Sequence, residues 1–199
     1  MKKPLIIIHS LIALFFIVIW LFPTVYNFLI LNVCLALIPF DVSILIKYVP
    51  NRVIKFALGF IWLIFYPNTM YMITDFVHLY SIGTTVGAIR FNYAVLAMGI
   101  FIGVLLGMRS IEMIYETFVQ RDSLLWQGAF YGIFSLLSAY GMYLGRFLRL
   151  NSWEVLTNWR ETFQIIISQM NMQSFEFVII FGALQLALIL IYQSLRRIN

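Results

Sequence analysis

The sequence predicts an all-α, polytopic membrane protein with six transmembrane helices and interfacial helices on the outer side. Three observations carry that prediction. Of 199 residues, 63% are hydrophobic and only 11% charged, against about 45–50% and about 25% in an ordinary soluble domain. Apolar runs of near-spanning length recur along the chain, separated by polar breaks. The lysines and arginines then distribute between the breaks as a six-span topology requires. A soluble globule of this size cannot hide so much apolar surface, which excludes a soluble enzyme, a nucleic-acid-binding domain and a disordered chain. The net charge of +5 comes from 13 basic residues scattered singly or in pairs. They form no nucleic-acid-binding stripe.

The spans are taken in order within one integral membrane domain over 1–199. The first covers 5–22, with Lys2 and Lys3 before it and Pro23 after it; Trp20-Leu21-Phe22-Pro23 offers no small-residue cleavage site, so it reads as a retained helix. The second covers 25–46 and carries Asn27, Asn32, Pro39 and Asp41. The third covers 53–65 and stops near Pro67, whose ring and missing N–H end or kink a helix. The remaining spans cover 91–108, 124–144 and 175–195. Segment 151–174 is too polar to span, 66–80 reads as an interfacial or re-entrant helix, and both 66–80 and 151–170 are expected to lie in or dip into the outer interface. With the N-terminus inside, Lys2, Lys3, Lys47, Arg52, Lys55, Arg109, Arg121, Arg196 and Arg197 are cytoplasmic, and Arg90, Arg146, Arg149 and Arg160 are outside. Nine against four puts both termini on the cytoplasmic side of a cell membrane.

Glycines recur every four residues at 99, 103 and 107, at 128 and 132, and at 141 and 145. That spacing stacks them on one helix face where another backbone can approach, which points to packing of the fourth span on the fifth. A homodimer or a larger membrane complex is the alternative use of those faces. Cys34 is the one cysteine, so no intrachain disulfide or multi-cysteine metal site forms; it reads as a packed membrane thiol. Asp41, costly in lipid, is expected to pair with Lys47 or Arg52.

The unusual residues gather in the two outer segments. If 66–80 is one α-helix, Asn68, Tyr71, Asp75 and His78 fall at i, i+3, i+7 and i+10, a single polar stripe opposite Met72, Ile73, Phe76 and Leu79. Asp75 and His78 at i, i+3 can share a proton or chelate a cation. Arg146 and Arg149 share a face at the end of the fifth span. Asn151 followed by Glu154 reads as a capping box that starts a helix near Ser152, with Trp153 beside it. That helix is amphipathic: Leu156, Trp159, Phe163, Ile166, Ile167 and Met170 form its apolar stripe. His9 and His78 fall on opposite sides of the membrane, so one subunit offers no bis-histidine haem site. No phosphate loop, nucleophile elbow or His-Glu-x-x-His zinc motif is present, so no cofactor or metal is assigned.

Three stretches are familiar: Leu31-Asn32-Val33-Cys34-Leu35-Ala36-Leu37-Ile38-Pro39, then the run from Trp62 through Tyr66-Pro67-Asn68-Thr69-Met70-Tyr71-Met72-Ile73-Thr74-Asp75-Phe76-Val77-His78-Leu79, then Tyr143-Leu144-Gly145-Arg146-Phe147-Leu148-Arg149-Leu150-Asn151-Ser152-Trp153-Glu154. Together they resemble the bacterial membrane-protein family filed as domain of unknown function 1361, over roughly 30 to 195. Thr69 stands where that family usually has Ala, and Glu154 where it usually has Asp. The resemblance implies a multi-pass membrane protein and brings no settled activity.

The functional expectation is therefore a protein that binds or transports a small anionic solute or lipid headgroup at its outer face. The candidate residues are Asn68, Tyr71, Asp75, His78, Arg146, Arg149, Asn151, Trp153 and Glu154, with the two arginines holding the anion. Two alternatives stay open: an intramembrane enzyme on a lipid-linked substrate, with Asp75 or Glu154 as base, and an accessory subunit of a larger membrane complex. A structural salt-bridge network among the same charges is the competing account of the cluster itself.

Overall fold

A computed structural model describes residues 2–81, 83–121 and 123–198; the side chains of Lys2, Tyr80 and Ser81 lie outside the described set, including the Tyr80 end of the predicted 66–80 stripe. The described residues form helices and no strand. The helices are α1 (Lys2–Leu21), α2 (Phe28–Tyr48), α3 (Arg52–Phe65), α4 (Pro67–Tyr71), a 3₁₀ helix (Met72–Ser81), α5 (Val86–Phe118), α6 (Leu124–Leu148), α7 (Glu154–Thr157), α8 (Trp159–Ser168) and α9 (Met172–Arg197).

Among the described residues, five segments are long and apolar enough to cross a membrane: Lys3–Leu21, Phe28–Tyr48, Arg52–Leu79, Val86–Phe118 and Met172–Arg197. Their outward faces carry large apolar side chains such as Ile6, Leu14, Phe60, Phe101 and Ile180, each at least half exposed. Water would not tolerate so much contiguous apolar surface, and the chain is a membrane protein. The 25-residue α6 (124–148) is not among the five. Its buried face carries Tyr131, Ser135 and Ser138, which lower its mean hydropathy.

One expected boundary moved and its neighbour held. The fourth predicted span, 91–108, is the middle of a helix of 33 residues, about 50 Å long at 1.5 Å per residue. Its last turns extend well past a hydrocarbon layer of about 30 Å and carry Arg109, Glu112 and Glu116. The third predicted span, 53–65, matches α3 (Arg52–Phe65), which stops just before Pro67 as expected, and a new helix starts there. Proline takes the first position of α4, where its missing N–H is harmless, and the chain stays helical as part of the apolar segment Arg52–Leu79.

This continuation corrects the interfacial reading of 66–80. Thr69, Met70 and Met72 are fully buried, and Asp75 is 1% exposed, while Phe76 and Val77 face outward. The segment is not an amphipathic surface helix but a strut inside the bundle. Its second half is 3₁₀, with about three residues per turn. Met72, Asp75 and His78 therefore fall in one line, and the α-helical stripe that set Met72 opposite Asp75 does not form.

The glycines explain how α4 fits there. A Cβ on Gly107 would sit 2.4 Å from Thr69 Oγ1, one on Gly103 would meet Met72 Sδ at 2.3 Å, and one on Gly141 would meet Pro67 Cγ at 2.6 Å. The glycine faces of α5 and α6 thus clasp α4 between them, rather than packing those helices on each other as expected. Gly128 and Gly132 meet nothing within 4 Å. Hydrogen bonds tie the neighbouring helices: Trp62 Nε1 donates to Ser110 Oγ at 2.7 Å, and Ser110 donates to the carbonyl of Pro39 at 3.0 Å.

At the far end of α5, the buried Glu112 pairs with both Arg109 and Arg196, and Glu116 with Lys47 at 2.7 Å, joining α2, α5 and α9. Asp41 does not pair with Lys47 or Arg52; it meets His9 of α1 at 3.2 Å. Six residues along an α-helix is a rotation of about 240°, which points Lys47 away from Asp41. Cys34 is exposed on the outer surface of α2 rather than packed.

Candidate functional site

Asp75 is the centre of the cluster. Its carboxylate accepts from Asn32 Nδ2 at 2.9 Å and from Arg146 Nη1 at 3.4 Å, and His78 Nε2 lies 3.9 Å away. A buried carboxylate is tolerated only with such compensation. Arg146 also donates to the Tyr71 hydroxyl at 3.3 Å, its guanidinium 5.8 Å from the Tyr71 ring centre. The Tyr26 hydroxyl donates to the carbonyl of His78 at 2.8 Å, and the Phe28 ring packs 4.9 Å from the imidazole. Four elements thus converge: α2 supplies Asn32, α4 Tyr71, the 3₁₀ helix Asp75 and His78, and α6 Arg146.

Arg149 does something different. It ends α6 with φ 57°, a left-handed backbone, so it does not share a helix face with Arg146 as the spacing suggested. Its side chain lines a cavity of about 440 Å³, within the range of small-molecule sites. Asn32, Asn68, Tyr71, Asn151 and Ser152 supply further polar lining. Leu31, Leu35, Leu63, Ile64 and Leu137 supply apolar walls from α2, α3 and α6. Among the described residues, no carboxylate pairs with Arg149.

The second predicted segment meets the first at one point, where Asn68 Nδ2 donates to Ser152 Oγ at 2.8 Å and to the Phe65 carbonyl at 2.9 Å. The expected capping box is absent. Asn151 Nδ2 instead donates to Glu154 Oε1 at 2.7 Å, and α7 begins at Glu154 without a side-chain cap. The helix breaks at Asn158. Trp153 and Glu154 stand beside the cavity without lining it. Of the nine candidates, Asn68, Tyr71, Arg149 and Asn151 line the cavity, and Asp75, His78 and Arg146 form the network next to it.

Sequence reasoning missed Tyr26, Tyr140 and Ser152. Asn32 was noticed only as a polar residue in an apolar run, and that signal does point to it. Tyr140 lines the cavity and donates to the Ile166 carbonyl, tying α6 to α8.

The model of the family described as "Protein of unknown function (DUF1361)" matches residues 31–188. The chain belongs to that family. The matched region runs from Leu31 on the cavity wall through most of α9, and so contains every residue of the family member's cavity and of the Asp75 network except Tyr26 and Phe28. No curated protein and no solved structure matches the chain.

Proposed function

We propose that this member of the family binds a small anionic solute or lipid headgroup in the cavity at the outer face of the membrane, with Arg149 as the charged contact. The observation that carries this is a cation on the cavity wall, Arg149, that pairs with no carboxylate among the described residues. The Tyr71 and Ser152 hydroxyls, which accept from Arg146 and Asn68, keep their O–H groups for a ligand, and Asn151 keeps its second Nδ2–H. Guanidinium groups suit phosphate and carboxylate because their planar fork matches two oxygens at once. Arg146, already engaged by Asp75 and Tyr71, positions the cavity wall rather than sharing the anion.

Purified protein should gain thermal stability from phosphate-bearing ligands by mass action, about 2.7 kcal/mol at a hundredfold excess over Kd. Arg149→Ala should remove that gain while the unliganded melting temperature stays put, since the side chain is exposed and pairs with no acid. If no phosphate-bearing compound stabilises the wild type, the binding reading falls.

The proposed orientation has six crossings, α6 being the fifth of them and α9 the sixth, with both termini cytoplasmic. Basic residues support it: Lys47, Arg109, Arg196 and Arg197 cluster around one end of α2, α5 and α9. In a Cys34→Ala background, Ser152→Cys should react with an impermeant thiol reagent in intact cells, and Ser194→Cys only after permeabilisation. Labelling at 194 in intact cells would refute the topology.

A further inference from the structure

We infer that the ligand of this cavity is a phosphate-headed lipid that enters sideways from the bilayer, its chain lying between α2, α3 and α6. The inference rests on the binding reading above and names the class of ligand. It starts from the shape of the lining. Along α6 the cavity runs from Leu137 to Gly145 and on to Arg149 beyond the helix end. The eleven steps from Leu137 to the last helical position, Leu148, span about 16 Å, close to one leaflet, half of a hydrocarbon thickness of about 30 Å.

Polarity changes along that length. Arg149, Asn151 and Ser152 mark one end, level with Leu31 and Asn32 of α2, which reaches Arg146 through Asp75, while Leu137 of α6 and Leu63 of α3 line the wall further in. A compact anion occupies only the polar end and leaves the apolar part without contact atoms, forfeiting dispersion energy. An amphiphile of one-leaflet length fills both parts. Its chain gains no hydrophobic energy on leaving the surrounding lipid; the contact with Arg149 and its neighbours selects the molecule.

The cavity is also open towards the bilayer at both levels. Leu31 at the polar end is 56% exposed and Leu137 further in 49%, although both line the cavity. Those two side chains lie on the helix faces that lipid covers, so a chain can slide in between α2 and α6 while its headgroup stays at the polar end. A water-soluble anion would have no use for that mouth.

The test compares four compounds by melting temperature of the detergent-purified protein: dioleoyl phosphatidic acid, glycerol 3-phosphate, inorganic phosphate and dioleoylglycerol. Phosphatidic acid is expected to raise the wild-type melting temperature by about 5 °C at saturating excess. Glycerol 3-phosphate, inorganic phosphate and uncharged dioleoylglycerol should raise it by less than a fifth as much. Arg149→Ala should abolish the phosphatidic acid effect, and Leu137→Trp, which narrows the mouth at a half-exposed position that tolerates bulk, should weaken it at least tenfold in apparent affinity. A rise with either soluble phosphate equal to that with phosphatidic acid would overturn the lipid inference and leave the anion reading standing. An equal rise with dioleoylglycerol, or none with any compound, would overturn both. An undiminished lipid effect in Leu137→Trp would overturn sideways entry.

Discussion

Replacing Asp75 by alanine is expected to lower the stability of the folded bundle by about 3–5 kcal/mol, the loss typical when one partner of a buried ion pair is removed. The carboxylate is 1% exposed and answers donors from two other helices, Asn32 Nδ2 at 2.9 Å and Arg146 Nη1 at 3.4 Å. Alanine strands both donors, and a single interhelical hydrogen bond in a membrane averages only about 0.6 kcal/mol. A loss of several kcal/mol must therefore come from the unneutralised arginine. Two further variants separate the contributions. Asp75→Asn keeps the shape and loses the charge, so its cost should be smaller than that of alanine. Adding Arg146→Met to Asp75→Ala should recover part of the loss, because no charge is then left without its counterion. Thermal melting in detergent reads all three; a melting temperature for Asp75→Ala within a degree of the wild type would show that the network does not hold the helices together.

The second large effect is steric. Gly107→Leu should yield no monodisperse protein, and Gly107→Ala should cost about 1–3 kcal/mol, the usual range for overpacking a tight contact. Even the alanine Cβ would lie 2.4 Å from Thr69 Oγ1 and 2.8 Å from Thr69 Cβ. Thr69 cannot retreat, because its residue is fully buried and its hydroxyl donates to the Tyr66 carbonyl at 2.8 Å. Combining Gly107→Ala with Thr69→Gly removes both clashing atoms and should return most of the stability, less about 1 kcal/mol for a second helical glycine. Gly132→Ala serves as the control, since nothing lies within 4 Å of that position. Size-exclusion profiles and melting curves check the set; equal behaviour of Gly107→Ala and Gly132→Ala would refute the clasp around α4.

Much of the site was visible in the chain as residue types but not as contacts. Asp75 with His78, and Arg146 near them, stood out because charges are rare in so apolar a sequence. The i, i+3 relation of Asp75 and His78 survived because a 3₁₀ turn brings residues three apart into register. The i+7 relation from Asn68 did not, because it assumes 3.6 residues per turn throughout. The amphipathic reading of 66–80 failed for a related reason. It presumes water on one side, whereas α4 is enclosed by α5 and α6 and its polar groups are satisfied by other helices. Arg149 left the face of Arg146 through a single left-handed residue at the helix end, and a non-glycine in that conformation gives no advance sign. The helix-starting box lies at Asn171 and Ser174 rather than Asn151 and Glu154. At Asn151 the side chain that should accept a backbone N–H donates to the carboxylate instead.

The sequence by itself determined the solvent and the presence of the long apolar helices. Hydropathy is a sum over one helix at a time, and in lipid each helix satisfies its own backbone, so neither depends on how the helices are arranged. Tertiary structure alone decided the pairings. Asn32 meets Asp75 across 43 residues, and Arg146 meets it across 71, where a helix turned by one residue, about 100°, would break the contact. What sets those rotations is close packing. Gly103 and Gly107 on one side and Gly141 on the other admit α4 in one orientation. That orientation carries Asp75 inward to Arg146 and leaves Arg149 lining the cavity.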